Sequence, residues 1–120
     1  RNIMLAFDDS DAARKALDMV VTSPLYKGLR CHLVHVDKDA SSISEALNEA
    51  ESRLENAGLE VATSVLRGQV DAALLDYQRQ CEIDITVMGA FGHSRLREML
   101  FGSVTVKMLC SSQVPLLLLR

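Results

Sequence analysis

The feature that most constrains the fold is a regular alternation between short apolar runs and longer segments whose apolar residues recur at helical spacing. Strands are predicted at residues 3–7, 31–36, 59–66, 83–88 and 114–119, and helices at residues 12–21, 43–57, 70–81 and 104–109. Strands that alternate with helices form βαβ units with right-handed crossovers. The sequence therefore predicts an α/β domain with a largely parallel sheet between helical layers.

The first two helices are preceded by residues that can cap them. Asp9 or Ser10 can accept a hydrogen bond from a free N–H group at the start of the first helix. Ser42 and Glu45 have the spacing of a capping box at the start of the second. From Leu59 onward apolar and polar residues alternate, which predicts that the third strand lies nearer an edge of the sheet.

In open parallel sheets a ligand binds at the carboxyl ends of the strands, where the strand order reverses. Asp8 follows the first predicted strand, Val36 ends the second and Gly89 follows the fourth, so all three are expected at the carboxyl ends of the strands. Asp8 can contact a ligand, help to cap the first helix, or do both. His35 lies in an apolar run, which favours a hydrogen-bonded core histidine over a general base.

A glycine-rich segment follows the fourth strand and includes Gly89, Gly92 and Gly102. Glycine lets main-chain N–H groups approach a ligand closely because it has no Cβ. Gly102 and Ser103 then open a helix, whose first N–H groups favour an anion such as phosphate. The segment predicts a nucleotide phosphate site, and the alternative is a long surface loop whose glycines only form turns.

Two common nucleotide motifs do not occur in the sequence. A Walker-type loop needs a lysine between the last glycine and the serine or threonine, whereas Ser103 follows Gly102 directly. The Gly-x-Gly-x-x-Gly fingerprint of dinucleotide-binding folds is also missing, because the first strand leads into Asp8, Asp9 and Ser10. A dinucleotide-dependent dehydrogenase is therefore disfavoured.

With these residues the chain resembles a universal stress protein domain of the ATP-binding type. The signature of that family is Gly, two residues, Gly, nine residues, Gly and then Gly, Ser or Thr. Gly89, Gly92, Gly102 and Ser103 stand at those intervals, and the first strand with its Asp8 and the closing apolar strand also match. The similarity covers essentially the whole chain.

One departure from the family pattern concerns Phe91, which stands where many single-domain members have histidine. The segment around it is closer to the C-terminal half of bacterial tandem members. We therefore expect residues 1–120 to form one universal stress protein domain of a longer tandem chain.

The resemblance implies an adenine nucleotide alpha hydrolase-like fold, with a five-stranded parallel sheet in the order 3-2-1-4-5 and helices on both faces. It implies that ATP or ADP, with or without magnesium, lies across the strand ends. Asp8 and the main chain of Val36 would face adenine and ribose. The residues that would line the ribose and phosphates are Met88, Gly89, Gly92, His93, Gly102, Ser103, Val104 and Thr105. His93 could equally be a solvated loop residue.

The resulting hypothesis is a stress-response regulatory module that binds ATP or ADP, and two alternatives stay open. The same pocket could support slow ATP hydrolysis or phosphoryl transfer, although no set of nucleophile, base and orienting group is evident. Alternatively, the chain is an interaction domain that has lost nucleotide binding.

The last strand predicts association with another chain. In the implied sheet order, the residues from Val114 to Leu119 form an apolar edge strand, and such edges favour pairing. We expect a homodimer through this strand, or pairing of two halves within a tandem chain.

Bulk properties restrict the remaining function classes. The formal net charge is −3 without a basic block, which argues against a nucleic-acid partner. The longest apolar runs are too short to span a bilayer, so no membrane partner is expected. Cys31, Cys81 and Cys110 lack the paired spacing of a zinc site. They are expected to be buried reduced thiols, which suggests a cytoplasmic protein.

Overall fold

The computed structural model describes residues 1–37, 43–89 and 103–119, and for residues 103–106 the main chain alone. The strands are β1 (Asn2–Ala6), β2 (Arg30–Asp37), β3 (Glu60–Arg67), β4 (Ile85–Gly89) and β5 (Leu116–Leu119). They form one sheet in the order β3-β2-β1-β4-β5, and every neighbouring pair is parallel. The predicted fold class and strand order are therefore confirmed.

Within the described residues, the helices alternate with the strands as predicted. They are α1 (Asp11–Thr22), α2 (Ser44–Asn56), α3 (Val70–Gln80) and α4 (Ser103–Ser111), with a short 3₁₀ turn at Pro24–Tyr26. Ser10 is the N-cap of α1, and its Oγ accepts the N–H of Ala13 at 3.1 Å. The capping box predicted for the second helix is wrong, because Ile43 is the N-cap and its aliphatic side chain has no acceptor. Ser42 itself lies outside the described residues.

The helices cover both faces of the sheet because the central strands are apolar on both sides. Ile3, Met4 and Leu5 of β1 are all buried. On the face of Ile3 and Leu5, the core includes residues of α1 and α2, which are Ala13, Ala16, Leu17, Val20, Leu47, Ala50 and Leu54. On the face of Met4, it includes Leu74 of α3 and Met108 of α4. The two cores hold β1 between two helical layers.

Both edges of the sheet are occupied by strands that are less buried than the centre. The exposure of β3 alternates along the strand, and its neighbour β2 is bridged to it by Arg30 and Glu60 at 2.8 Å. The predicted edge position of the third strand is therefore confirmed. At the opposite edge, the four leucines of β5 are each half-buried.

Two polar clusters lie inside the helical layer formed by α3 and α4. In one, a ring nitrogen of buried His32 lies 2.9 Å from the hydroxyl of Tyr77. Burial lowers the pKa of His32, and the positive charge of Arg30 lowers it further, so the neutral imidazole is favoured. In the other, Gln78 donates from Nε2 to Thr86 at 2.8 Å and to Ser112 at 3.2 Å, tying α3 to β4. These bonds satisfy polar groups whose burial would otherwise be costly.

The sequence suggested that all three cysteines are buried, but their environments differ. Cys31 is buried in β2, and burial raises the pKa of its thiol to about 12, which makes it unreactive. Cys81 is partly exposed and Cys110 is exposed, so the expectation of burial is wrong for Cys110. The reason is helical geometry: Met108 faces the core, and two residues further on the side chain points about 200° around α4.

The described part of the chain has no helix with both the length and the hydrophobicity of a membrane span.

Candidate functional site

Among the described strands, the order reverses at one point of the sheet. From β1 the chain moves through α1 to β2 on one side, and from β4 it moves through α4 to β5 on the other. The carboxyl ends of β1 and β4 lie side by side, with Ala6 paired with Met88. A crevice for a ligand is expected above this pair of strand ends. Two predicted site residues lie at these strand ends: Asp8 follows β1, and Gly89 is the last residue of β4.

Asp8 is held by the turn that joins β1 to α1. Its Oδ1 accepts the N–H of Ser10 at 3.0 Å, and its side chain is exposed. Asp9 has a φ of 61°, in the left-handed region, and its carboxylate pairs with Arg14 at 2.5 Å. Aspartate tolerates this conformation better than most residues. The turn thus holds Asp8 just beyond the carboxyl end of β1, while the helix cap is provided by Ser10.

At the end of β2, the backbone and one side chain join that strand to the end of β1. The N–H of Phe7 donates to the carbonyl oxygen of Val34 at 2.9 Å, and Nδ1 of buried His35 donates to the carbonyl oxygen of Phe7 at 2.9 Å. The prediction that His35 is a hydrogen-bonded core histidine is confirmed. Val36, the next residue, is half-buried in the same strand end.

Gly89 ends β4 directly beneath the start of α1. A Cβ built on Gly89 would lie 2.7 Å from the Cβ of Ala12 and 2.8 Å from both the carbonyl carbon of Ala12 and the nitrogen of Ala13. These separations are well below normal carbon contacts, so only glycine fits. Sequence reasoning assigned this glycine to phosphate binding and missed its packing role. The two small residues at the start of α1 were the available signal.

Met88, another predicted site residue, is 5% exposed and packs in the core beside α3 and α4. Any contact it makes with a ligand is therefore restricted to its main chain.

The first turn of α4 begins at Ser103, as predicted. Four residues separate the end of α4 from the start of β5, so α4 ends near the amino-terminal ends of the parallel strands. The helix therefore runs antiparallel to the strands and begins toward their carboxyl ends. Ser103, Val104 and Thr105 therefore contribute their main-chain N–H groups to that side. Gly92, His93 and Gly102 lie outside the described residues, and their ligand contacts stay predictions.

The carboxyl-terminal end of the sheet has two regions of opposite electrostatic character. Asp8, Asp9 and Asp11 cluster at the β1–α1 turn, where carboxylates can accept hydrogen bonds from hydroxyl or amino groups but repel phosphate. The start of α4 carries the positive end of a helix dipole, which favours phosphate. Over residues 1–37, 43–89 and 103–119, no cluster of three His, Cys, Asp or Glu side chains is arranged to hold a metal ion.

Comparison with known sequences gives one family. Residues 37–120 match the model of the universal stress protein family. The chain is 36% identical to universal stress protein Slr1230 of Synechocystis, covering 98% of this chain and 42% of that protein. It is 28% identical to universal stress protein YxiE of Bacillus subtilis, covering 98% of this chain and 97% of that protein. The chain thus spans less than half of the first relative and nearly all of the second.

Comparison with solved structures gives the same fold. A universal stress protein in complex with cAMP superposes with a TM-score of 0.81 at 22% identity, covering 100% of this chain and 96% of that one. A universal stress protein family protein of Arabidopsis thaliana with AMP bound has a TM-score of 0.75 at 13% identity, covering 98% of this chain and 90% of that one.

Proposed function

Because the chain belongs to the universal stress protein family, we propose that it is a stress-response regulatory module that binds an adenine nucleotide, ATP or ADP. The observation that carries the proposal is the exposed carboxylate of Asp8, which its own turn holds beside the point where the order of the described strands reverses. Two proteins of the same fold carry AMP and cAMP in their structures, which supports the adenine nucleotide class.

The nucleotide would lie with its two chemical halves on opposite sides of the crevice. Asp8 accepts hydrogen bonds from the ribose hydroxyls or the adenine amino group, and the main chain of Val36 supplies a donor and an acceptor for the base. The phosphates lie toward Gly89 and the first turn of α4, together with the predicted residues Gly92, His93 and Gly102. Asp8 thus selects for the nucleoside, and α4 for the charge.

Calorimetric titration with AMP, ADP, ATP and cAMP tests the proposal, with GTP as the control for the base. A ligand present at a hundred times its Kd stabilises the fold by about 2.7 kcal/mol, so thermal melts give an independent reading. We expect ATP and ADP to bind and GTP to bind at least tenfold more weakly. Equal binding of GTP, or no binding of any adenine nucleotide at millimolar concentration, would sink the proposal.

Asp8→Asn is expected to weaken ATP binding about ten- to a hundredfold, since a hydrogen bond to a charged group contributes about 1.5–3 kcal/mol. Asparagine can still accept the N–H of Ser10, so the turn and the melting temperature should be retained. The matched control is Asp9→Asn, which removes the same charge one residue away at a position where asparagine tolerates the positive φ. Its affinity should stay within about twofold of the parent; an equal loss in both variants would assign the effect to net charge.

We also propose that β5 pairs with a second copy of the chain, or with the other half of a tandem protein. The N–H of Thr86 donates to the carbonyl oxygen of Pro115 at 3.0 Å, which places the odd-numbered residues of this segment toward β4. The N–H groups of Leu116 and Leu118 therefore point to the open edge of the sheet.

Leu118→Pro is expected to convert a dimer to a monomer, because proline removes an edge N–H without breaking a bond to β4. Leu118→Ala is the matched control for the lost side chain, which packs beside the α3–α4 layer, and should stay dimeric. Light scattering after size exclusion reads the mass directly. A parent chain that elutes as a monomer, or a proline variant that stays dimeric, would exclude β5 as the interface.

A further inference from the structure

The hydrogen bonds of β2 alternate between its two neighbours, as parallel ladders require. Even-numbered residues bond toward β1: the N–H of Arg30 donates to the carbonyl oxygen of Arg1 at 3.1 Å, and the carbonyl oxygen of Val34 accepts from Phe7 at 2.9 Å. On the other side, the carbonyl oxygen of Leu29 accepts from Glu60 of β3 at 3.1 Å. By this alternation the N–H of Val36 points toward β1 and should pair with the carbonyl oxygen of Phe7.

His35 changes this last step of the ladder. The carbonyl oxygen of Phe7 accepts the imidazole Nδ1–H of His35 at 2.9 Å, and among the described residues it accepts no bond from the N–H of Val36. A carbonyl oxygen can only accept, so Nδ1 carries the hydrogen and Nε2 of the neutral ring is left as an acceptor. The side chain thus supplies a donor to the oxygen that the ladder would pair with the backbone, and the Val36 N–H at the strand end has no partner among the described residues.

The other ring nitrogen of His35 lowers the stability of the core. Nε2 is buried and has no hydrogen-bond partner within the described residues. A buried acceptor without a partner destabilises the fold, and an aliphatic side chain in the same apolar layer would avoid that cost. The bond that Nδ1 donates to Phe7 gives a reason for an imidazole at this apolar position.

We propose that His35 is a positioning residue that keeps the main-chain N–H of Val36 available to an acceptor atom of the ligand. The same bond fixes the carbonyl of Phe7 and hence the direction in which the chain enters Asp8. One imidazole thus sets two neighbouring groups at the crevice, a main-chain donor on β2 and a carboxylate after β1. The ligand is a nucleoside base that offers a ring acceptor beside an amino donor, and in this respect the inference rests on the proposed function.

Two substitutions separate the bond from the bulk of the ring. His35→Leu removes the donor and fills the apolar layer, so the Val36 N–H can return to the Phe7 oxygen. His35→Asn keeps an N–H donor at the distance of Nδ1 from the backbone. We expect the leucine variant to bind ATP about tenfold more weakly, with an unchanged or higher melting temperature. The asparagine variant should recover most of the affinity.

Amide hydrogen exchange followed by NMR reads the proposed geometry without nucleotide. In the parent chain the Val36 N–H should exchange faster than the ladder-paired N–H of Val34, and in His35→Leu it should become protected. His32→Leu is the matched control, because it removes a buried imidazole from the same strand, away from the carboxyl ends. It should lower the melting temperature and leave both the ATP affinity and the Val36 exchange unchanged.

The outcomes distinguish this inference from the function on which it rests. If ATP binds the parent and His35→Leu equally, or if Val36 is as protected as Val34 in the free parent chain, the role of His35 is overturned and nucleotide binding stands. If no adenine nucleotide binds the parent, the proposed function fails, and with it the assignment of His35 as a residue that positions a ligand contact.

Discussion

Gly89→Ala is expected to lower the free energy of unfolding by about 3 kcal/mol, at the upper end of the cost of overpacking. The added methyl group would lie 2.8 Å from main-chain atoms of Ala12 and Ala13, and these atoms cannot move without displacing the whole start of α1. Urea unfolding followed by circular dichroism measures the loss. Because Asp8 lies on the turn that leads into α1, ATP affinity should fall as well.

A double-mutant cycle with Ala12→Gly separates the contacts at this position. That substitution removes the Cβ at 2.7 Å and leaves the two main-chain contacts in place. The double variant should therefore recover part of the stability lost in Gly89→Ala, with a favourable coupling of about 0.5–1 kcal/mol. Full additivity of the two losses would show that the Cβ of Ala12 does not contribute to the clash at Gly89.

Leu5→Ala is expected to cost about 2–5 kcal/mol, the range for removing a large aliphatic side chain from a packed core. Leu5 is 0% exposed on the central strand, between Leu33 of β2 and Val87 of β4 in the register of the sheet. The strands on both sides of Leu5 keep the surrounding backbone in place, so the core cannot easily collapse into the cavity that the substitution leaves. The same unfolding measurement applies.

Leu25→Ala is the matched control for this substitution, because Leu25 is 81% exposed in the short 3₁₀ turn after α1. The same atoms are deleted, and the cost should stay within about 0.5 kcal/mol. Similar losses at both positions would mean that the effect does not come from burial, and the assignment of Leu5 to the centre of the core would be wrong.

Much of the fold follows from the order of apolar segments in the chain. Continuous apolar runs such as residues 3–7 fit only strands covered on both faces, and the alternation from Leu59 onward fits an edge. Positions at strand ends, such as Asp8 and Gly89, then follow from the topology of parallel sheets. The sheet order itself came from the resemblance to a family and not from periodicity.

The details of the candidate site were less accessible because they depend on contacts between residues distant in sequence. The packing of Gly89 on Ala12 joins positions 77 apart, and the bond from His35 to Phe7 joins positions 28 apart. The pair of small residues at the start of α1 is a weak local signal for the first contact, and no local pattern indicates the second. A local motif also gave a wrong prediction. Ser42 and Glu45 have the spacing of a capping box, but the N-cap of the helix is Ile43.

The sheet order has a consequence for the time at which the crevice comes into existence during synthesis. β1 pairs with β2 and β3 follows at once, so residues 1–67 contain three adjoining strands of the sheet. The other wall of the expected crevice is β4, and Ile3 pairs there with Ile85. A chain still on the ribosome therefore has no reversal point until about three quarters of these 120 residues have emerged. The strand at the centre of the finished sheet waits longest for its second neighbour, and the crevice is among the last features to assemble.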